Sequence, residues 1–493
     1  MTSKHCFLFC FLFLAPLQIL SVCGSPWFSQ PPKPIGDGID YEAIGYSVSK
    51  GDGWSTHFSD PIWKSSYLQA DSFQYGFLVA KPGPIVPDTN RPPLLPTWIA
   101  AVYQILPRGP VAFAVVRISL ALALAAGCSL FACWGFQLVS NSPSEPLRQL
   151  TPWLAPGLVA IAYSERNLRN YLTDFLTEPF AFLLTAAFLL ILWDACRRPS
   201  LVRIAIVGAS FSFLIYCRSS FLLWLPFLAI TIPFFLAWSA PSFPRRWSHA
   251  IRYTAFFLVI VFVVQSPWWI RNSLVLGRFQ PLGTKGSTTL LGGYCDESVA
   301  SRGEWQFAPE RRLRALIPPP VESNHASDWI ANELAIAAQA AEEVRGWTTE
   351  NMSILPGLMV QRVVTEWNPY TGKALLLKIF ALLGAIGLVF RDRRTLAWLA
   401  VPLLMQTIVT ALTYSVGGRF LVPVYGCVYL LAVIGMAELA RLSQQAIRSF
   451  ASARSRPTGR YTAGVGTARI NISRIDTAGI DIAGIDIPGT APT

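Results

Sequence analysis

Several stretches of this chain run for about 18 residues with almost no charge, among them Phe175–Trp193, Phe221–Trp238 and Tyr253–Trp268 with its flanks. Segments of that kind are long enough to cross a hydrocarbon core, where a helix satisfies its own backbone amides. An all-α polytopic membrane protein follows. Of the 493 residues 53% are apolar and 14% charged, against about 25% charged in soluble chains, so an ordinary soluble enzyme is excluded. The net charge of +12 would suit nucleic acid in a soluble protein. Here the cations sit at segment ends, where lipid headgroups and the positive-inside bias account for them, and no nucleic-acid partner is expected.

The segment His5–Val22 reads either as a cleaved signal peptide or as a first anchor helix, and we take it as retained, so that residues 1–25 form a first membrane helix. A polar first loop (26–93) follows. A membrane bundle (94–268) contains Leu94–Leu106, Val111–Val139, Pro152–Tyr163, Phe175–Trp193, Arg203–Cys217, Ser219–Trp238 and Ile251–Trp268. A second large polar loop (269–373) precedes three further spans (374–440) near Ala374–Phe390, Thr395–Thr413 and Phe420–Ala440. Arginines in short turns mark the cytoplasmic side: Arg197/Arg198/Arg203, Arg245/Arg246/Arg252 and Arg391/Arg393/Arg394. Counting outward puts both large loops outside, and the count closes with about ten spans if Leu94–Leu106 is re-entrant or interfacial. The two loops fit that side by charge: Arg271–Lys373 has ten basic and eleven acidic residues, Pro26–Pro92 five and seven. Residues 441–493 carry seven arginines, three aspartates and a five-residue repeat ending Ile-Asp-Ile-Pro-Gly, the composition of a disordered cytoplasmic tail.

Of nine cysteines, seven lie in or beside apolar segments and behave as small hydrophobes; Cys23 and Cys295 alone stand where an outer bridge could form. Four scattered histidines give no zinc spacing.

The residues with chemical potential cluster at the outer ends of segments. Asp37 and Asp40 open a stretch in which Tyr41, Ile44, Gly45 and Val48 follow helical spacing, predicting a short amphipathic helix on the membrane surface. The two carboxylates read as helix-start caps, or as a base at the water–lipid boundary. Arg91, followed by Pro92-Pro93, holds a guanidinium at headgroup depth, as a snorkelling anchor or a phosphate ligand. Glu178 enters an apolar run ahead of Pro179, which is helix-start grammar and also a functional hypothesis. Arg271 and Lys285 flank a Gly-containing stretch after Trp268-Trp269, where glycines let backbone approach a ligand. Arg218 and Arg419, the latter in Gly417-Gly418-Arg419-Phe420, are cations on the side where the positive-inside bias does not place them.

Taken in order, the Asp-x-x-x-Tyr of Asp37 and Tyr41, Arg91-Pro92-Pro93-Leu94, Thr177-Glu178-Pro179, Pro267-Trp268-x-x-Arg271-Asn272 and Gly417-Gly418-Arg419-Phe420 resemble the bacterial GT-C membrane glycosyltransferases. The likeness is to the family 39-like group, which includes relatives of protein mannosyltransferases and lipid A aminoarabinose transferases. The resemblance implies a GT-C-like bundle in the plasma (inner) membrane, with an active site on the outer, periplasmic face. It also implies a polyprenyl-phosphate sugar as donor and a lipid, glycan or protein acceptor. Asp37 would be the base, with Asp40 as substitute if the register slips by a turn. Arg91 stands where the family has lysine, Glu178 borders the site, and Arg271 and Arg419 face the donor; Lys285 and Arg218, from their residue type and position alone, are further candidates to bind its phosphate. The Gly-rich segment around Asp37 departs from the family's Glu-Pro. A phosphate leaving group needs no general acid, so one base suffices for inversion, no cofactor is required, and a divalent cation is not demanded. The helix-like, amphipathic Ser323–Trp347 covers the site or selects the acceptor. The competing class is a secondary transporter or flippase of lipid-linked or anionic substrates, which would show internal repeats and charges at mid-span. Neither is evident here.

Overall fold

The computed structural model describes residues 2–34, 36–57, 59–67, 84–165, 167–239, 246–320 and 323–454. The described residues up to Leu442 form one compact unit, and Ser443 onward lies outside it. The fold is all-α: the one sheet among the described residues is a two-stranded antiparallel ribbon pairing Ser55 with Pro87 and Thr56 with Val86. It is a multi-pass membrane protein.

Eight helices among the described residues are long and apolar enough to span: Ser3–Cys23, Pro110–Ser140, Glu178–Arg197, Ser219–Trp238, Trp247–Leu276, Gly372–Arg391, Arg393–Leu412 and Arg419–Phe450. Ten were expected from the apolar runs. The difference lies in Thr151–Ser164 and Leu201–Cys217, which at 14 and 17 residues make about 21 and 26 Å of helix; Leu201–Cys217 nonetheless runs beside Glu178–Arg197 from the Arg203–Asp194 pair at one end to the Arg218–Glu178 pair at the other. Leu94–Ile105, with 12 residues, is too short to cross, in keeping with its re-entrant or interfacial reading.

Lipid tails are as apolar as leucine, so helices associate in the bilayer by close packing. A Cβ on Gly384 would lie 2.0 Å from the Leu431 carbonyl oxygen and one on Gly435 1.9 Å from that of Phe380. Two spans distant in sequence therefore meet backbone to backbone. At one end of the bundle Trp193 and Trp398 stack edge to face at 5.2 Å, with the guanidiniums of Arg197 and Arg394 over Trp193. Two of the arginine-rich turns thus share one end. Glu178, at the start of the helix that finishes at Arg197, lies about 30 Å away at the other.

The last helix runs on as Tyr425–Arg454, so regular structure does not stop at Arg441 as the change in composition suggested. The five-residue repeats, and Arg245 in the second arginine turn, lie outside the described residues. All nine cysteines are free, with Cys23 exposed and Cys295 buried, so no outer bridge joins them.

Candidate functional site

The site is built around the N-terminus of the helix Asp37–Lys50. Arg117, fully buried in a span, fixes the approach to it by donating to the carbonyls of Phe28, Gln30 and Pro31. Gly36 then turns the chain with φ +96, and Gly38 lets the first helical turn press against Asp174, whose carboxylate would stand 2.4 Å from a Cβ there. Gly36 and Gly38 are thus required by the local geometry. The helix is not the surface amphipath that its spacing suggested. Residues from Gly38 through Ser47, Asp40 excepted, are buried, so it is wrapped by protein on most sides.

Asp37 and Asp40 make no capping hydrogen bond. Both carboxylates turn instead to arginines from remote segments. Arg91 reaches Asp37 at 2.7 Å with Nη1 and Asp40 at 2.5 Å with Nη2, while its guanidinium lies 5.3 Å from the Tyr41 ring centroid. Arg419 donates Nη2 to the other Asp37 oxygen at 2.7 Å and Nε to Glu178 Oε1. Arg218 completes the set, with Nη1 3.1 Å from the same Glu178 oxygen. Glu178 is fully buried, and its Oε2 has no hydrogen-bond partner among the described residues. Thr177, the N-cap, makes no side-chain cap bond, so Glu178 serves the arginines as well as starting its helix.

Three carboxylates and three guanidiniums from five separate segments therefore form one chain of ion pairs: Asp40, Arg91, Asp37, Arg419, Glu178, Arg218. Formal charge within it is balanced. Burial would raise the Asp37 carboxyl, but Arg91, Arg419 and, less directly, Lys285 hold it well below the usual carboxylate range. Arg91 is pushed the opposite way: burial lowers it, and Asp37 with Asp40 more than compensate. Asp37 and Asp40 remain 26% and 32% exposed, so the cluster opens to solvent on one side.

The two other expected cations sit off this chain. Arg271 pairs with none of its carboxylates; it donates to the carbonyls of Asp88 and Trp54, with its guanidinium 5.0 Å from the Trp268 ring centroid. Lys285 binds the Glu310 carboxylate at 3.3 Å. Gly283 does not meet a ligand: a Cβ there would lie 1.7 Å from the Thr89 carbonyl oxygen, so its φ of +71 serves loop against loop. The Thr284 hydroxyl donates to Asn90 in the same contact.

Asp88 links the parts and was not singled out from the sequence. Its carboxylate accepts from the Asn90 and Arg91 amides at 2.9 Å each, its carbonyl from Arg271, and its amide donates to Trp54. Burial, with Asp40 adding, raises its carboxyl to about 6. Beside this turn lies a small crevice of about 20 Å³, lined among others by Thr89, Arg91, Ser219, Gln265, Trp268 and Trp269.

Compared with known proteins, the chain matches no family model and no curated protein sequence.

Proposed function

We propose that this protein is a membrane glycosyltransferase of the GT-C kind, moving a sugar from a polyprenyl-phosphate donor to an acceptor hydroxyl on the outward face of the plasma (inner) membrane. The observation that carries the reading is the ion-pair chain itself. Arg91 and Arg419 are anion-binding forks at the end of a lipid-embedded bundle, opposite the arginine-rich turns, and they are occupied by carboxylates that a phosphate can replace.

In this reading the donor phosphate draws Arg91 and Arg419 toward itself, and the interfacial Trp268 and Trp269 flank the start of the prenyl chain. Loss of guanidinium contacts raises the basicity of Asp37 at that moment, since those contacts are what lower it. The acceptor O–H gives its proton to Asp37, the oxygen bonds to the anomeric carbon, and the carbon–oxygen bond to phosphate breaks on the opposite face. Its electron pair leaves with the phosphate, whose added charge Arg91 and Arg419 stabilise. Configuration inverts. The donor thus activates the base that will use it.

The test is transfer from radiolabelled polyprenyl-phosphate sugars in membranes holding the full chain, followed by extraction of lipid and protein fractions. Wild type and Asp52→Asn should transfer sugar, and Asp37→Asn should not. Equal activity of Asp37→Asn and wild type overturns the reading, as does uptake of a lipid-linked or anionic solute without transfer.

A further inference from the structure

We infer that Glu366 is a positioning residue for Arg419, fixing from a distant helix the turn that delivers this guanidinium to Asp37 and Glu178. Glu366 lies near the end of the helix Leu355–Trp367 and is 1% exposed. Its Oε1 accepts from the amides of Phe420 at 2.7 Å and Leu421 at 3.2 Å; its Oε2 accepts from the Ser415 hydroxyl at 2.8 Å and the Val416 amide at 3.1 Å. Four donors of one seven-residue turn thus converge on a single carboxylate.

The turn needs an outside anchor for a local reason. It passes through Gly417 and Gly418 with φ +55 and +87, and the 3-10 helix Arg419–Val424 that follows has no side-chain cap of its own. A carboxylate at that helix start fills the capping role across 54 residues of sequence. One helical turn earlier, fully buried Arg362 donates to the carbonyls of Ala411 and Gly293. Arg362 and Glu366, four positions apart on one helix, therefore grip the segment on either side of the Gly-Gly pair. The large loop is stitched to the same point, since Trp305 donates to the Ser415 carbonyl and Ser415 to that of Gly303. The ligand named in the test rests on the proposed function; the coupling of Glu366 to Arg419 does not.

The experiment uses the full chain in lipid nanodiscs as wild type, Glu366→Gln, Arg419→Gln and the double variant. Glutamine keeps the shape but turns an N–H toward the Val416 amide. Two quantities are read: the melting temperature without ligand, and the affinity for a polyprenyl monophosphate. Arg419→Gln should lower the melting temperature of wild type clearly and that of Glu366→Gln by less than half as much. Glu366→Gln should weaken polyprenyl monophosphate about tenfold in wild type and leave the affinity of Arg419→Gln unchanged. Additive melting losses, or affinity losses that multiply, overturn the inference. Coupled melting losses with no binding of the lipid by wild type leave Glu366 in its role and overturn the proposed function instead.

Discussion

Two buried charge clusters share the helix Asp37–Lys50, and they are built differently. Glu42, 0% exposed, receives Trp63 Nε1 and the Tyr67 hydroxyl on one oxygen, the Tyr103 hydroxyl and Arg108 Nε on the other. Each of its oxygens has two donors, one cation is opposed by one anion, and only Arg108 Nη2 lacks a partner among the described residues of the cluster. Around Asp37, one helical turn away, six charges share contacts, two carboxylates are partly exposed, and Glu178 keeps an oxygen without a partner. A closed cluster with a single ion pair holds a fold together; a partly exposed one with interchangeable partners can admit a charged guest. The same helix thus anchors itself at one turn and offers its chemistry at the turn before.

The largest expected effect breaks the closed cluster. Glu42→Ala strands Arg108 and three aromatic donors in a dry site, at a cost of about 3–5 kcal/mol, and thermal unfolding in detergent should show a destabilised or unrecoverable chain. Asp37→Asn should cost less than about 1 kcal/mol, because the group is a quarter exposed and each of its arginines keeps another carboxylate. Equal melting losses in the two variants would erase the contrast.

Next comes Arg91→Lys, which keeps the charge but not the fork that spans Asp37 and Asp40. Affinity for a polyprenyl monophosphate should fall about tenfold; unchanged affinity would mean that a point charge suffices.

The third prediction concerns pH. Asp88 in the folded chain titrates near 6, above the usual value of about 4, so the native state holds its proton more tightly than the unfolded one. This group therefore favours the fold most at low pH, and its contribution declines as pH rises from about 4 to about 6. Donor affinity should run the other way, because the carboxylate is the better acceptor for the Asn90 and Arg91 amides. Binding measured across pH should weaken below about 6 in wild type, and Asp88→Asn should flatten the curve. A curve of the same shape in both would remove Asp88 from the account. The smallest effect is assigned to Arg271→Gln, which loosens the Trp54–Asp88 turn without touching a carboxylate of the open cluster. The KM of transfer should rise about threefold, the size of one neutral hydrogen bond, and a loss as large as that of Arg91→Lys would show that Arg271 meets the donor itself.

The membrane bundle was legible because lipid imposes a length and composition that a run such as Phe175–Trp193 displays directly. Marginal runs were less legible: the 14 residues of Thr151–Ser164 make about 21 Å of helix, and it is their contacts with Cys10 and Val433 that place them in the bundle. Glu178 and Arg419 could be picked out because each is a charge where one is costly or misplaced, and Asp37 and Arg91 because they open helical runs at the two ends of the first loop. Glu42, Asp88 and Glu366 could not. Their partners come from far along the chain, Arg108 lying 66 residues from Glu42 and Phe420 54 from Glu366, and a buried carboxylate in a polar loop reads like a solvated one. Arg271 and Lys285 show the converse. Correct residue types beside glycines and tryptophans met backbone carbonyls and Glu310 instead.

The most direct measurement pairs transfer with binding in one variant. If Asp37 is a base that competes with the donor phosphate for Arg91 and Arg419, Asp37→Asn in nanodiscs should abolish sugar transfer and bind polyprenyl monophosphate more tightly than wild type. Transfer at the wild-type rate, or weaker binding together with lost transfer, would contradict it.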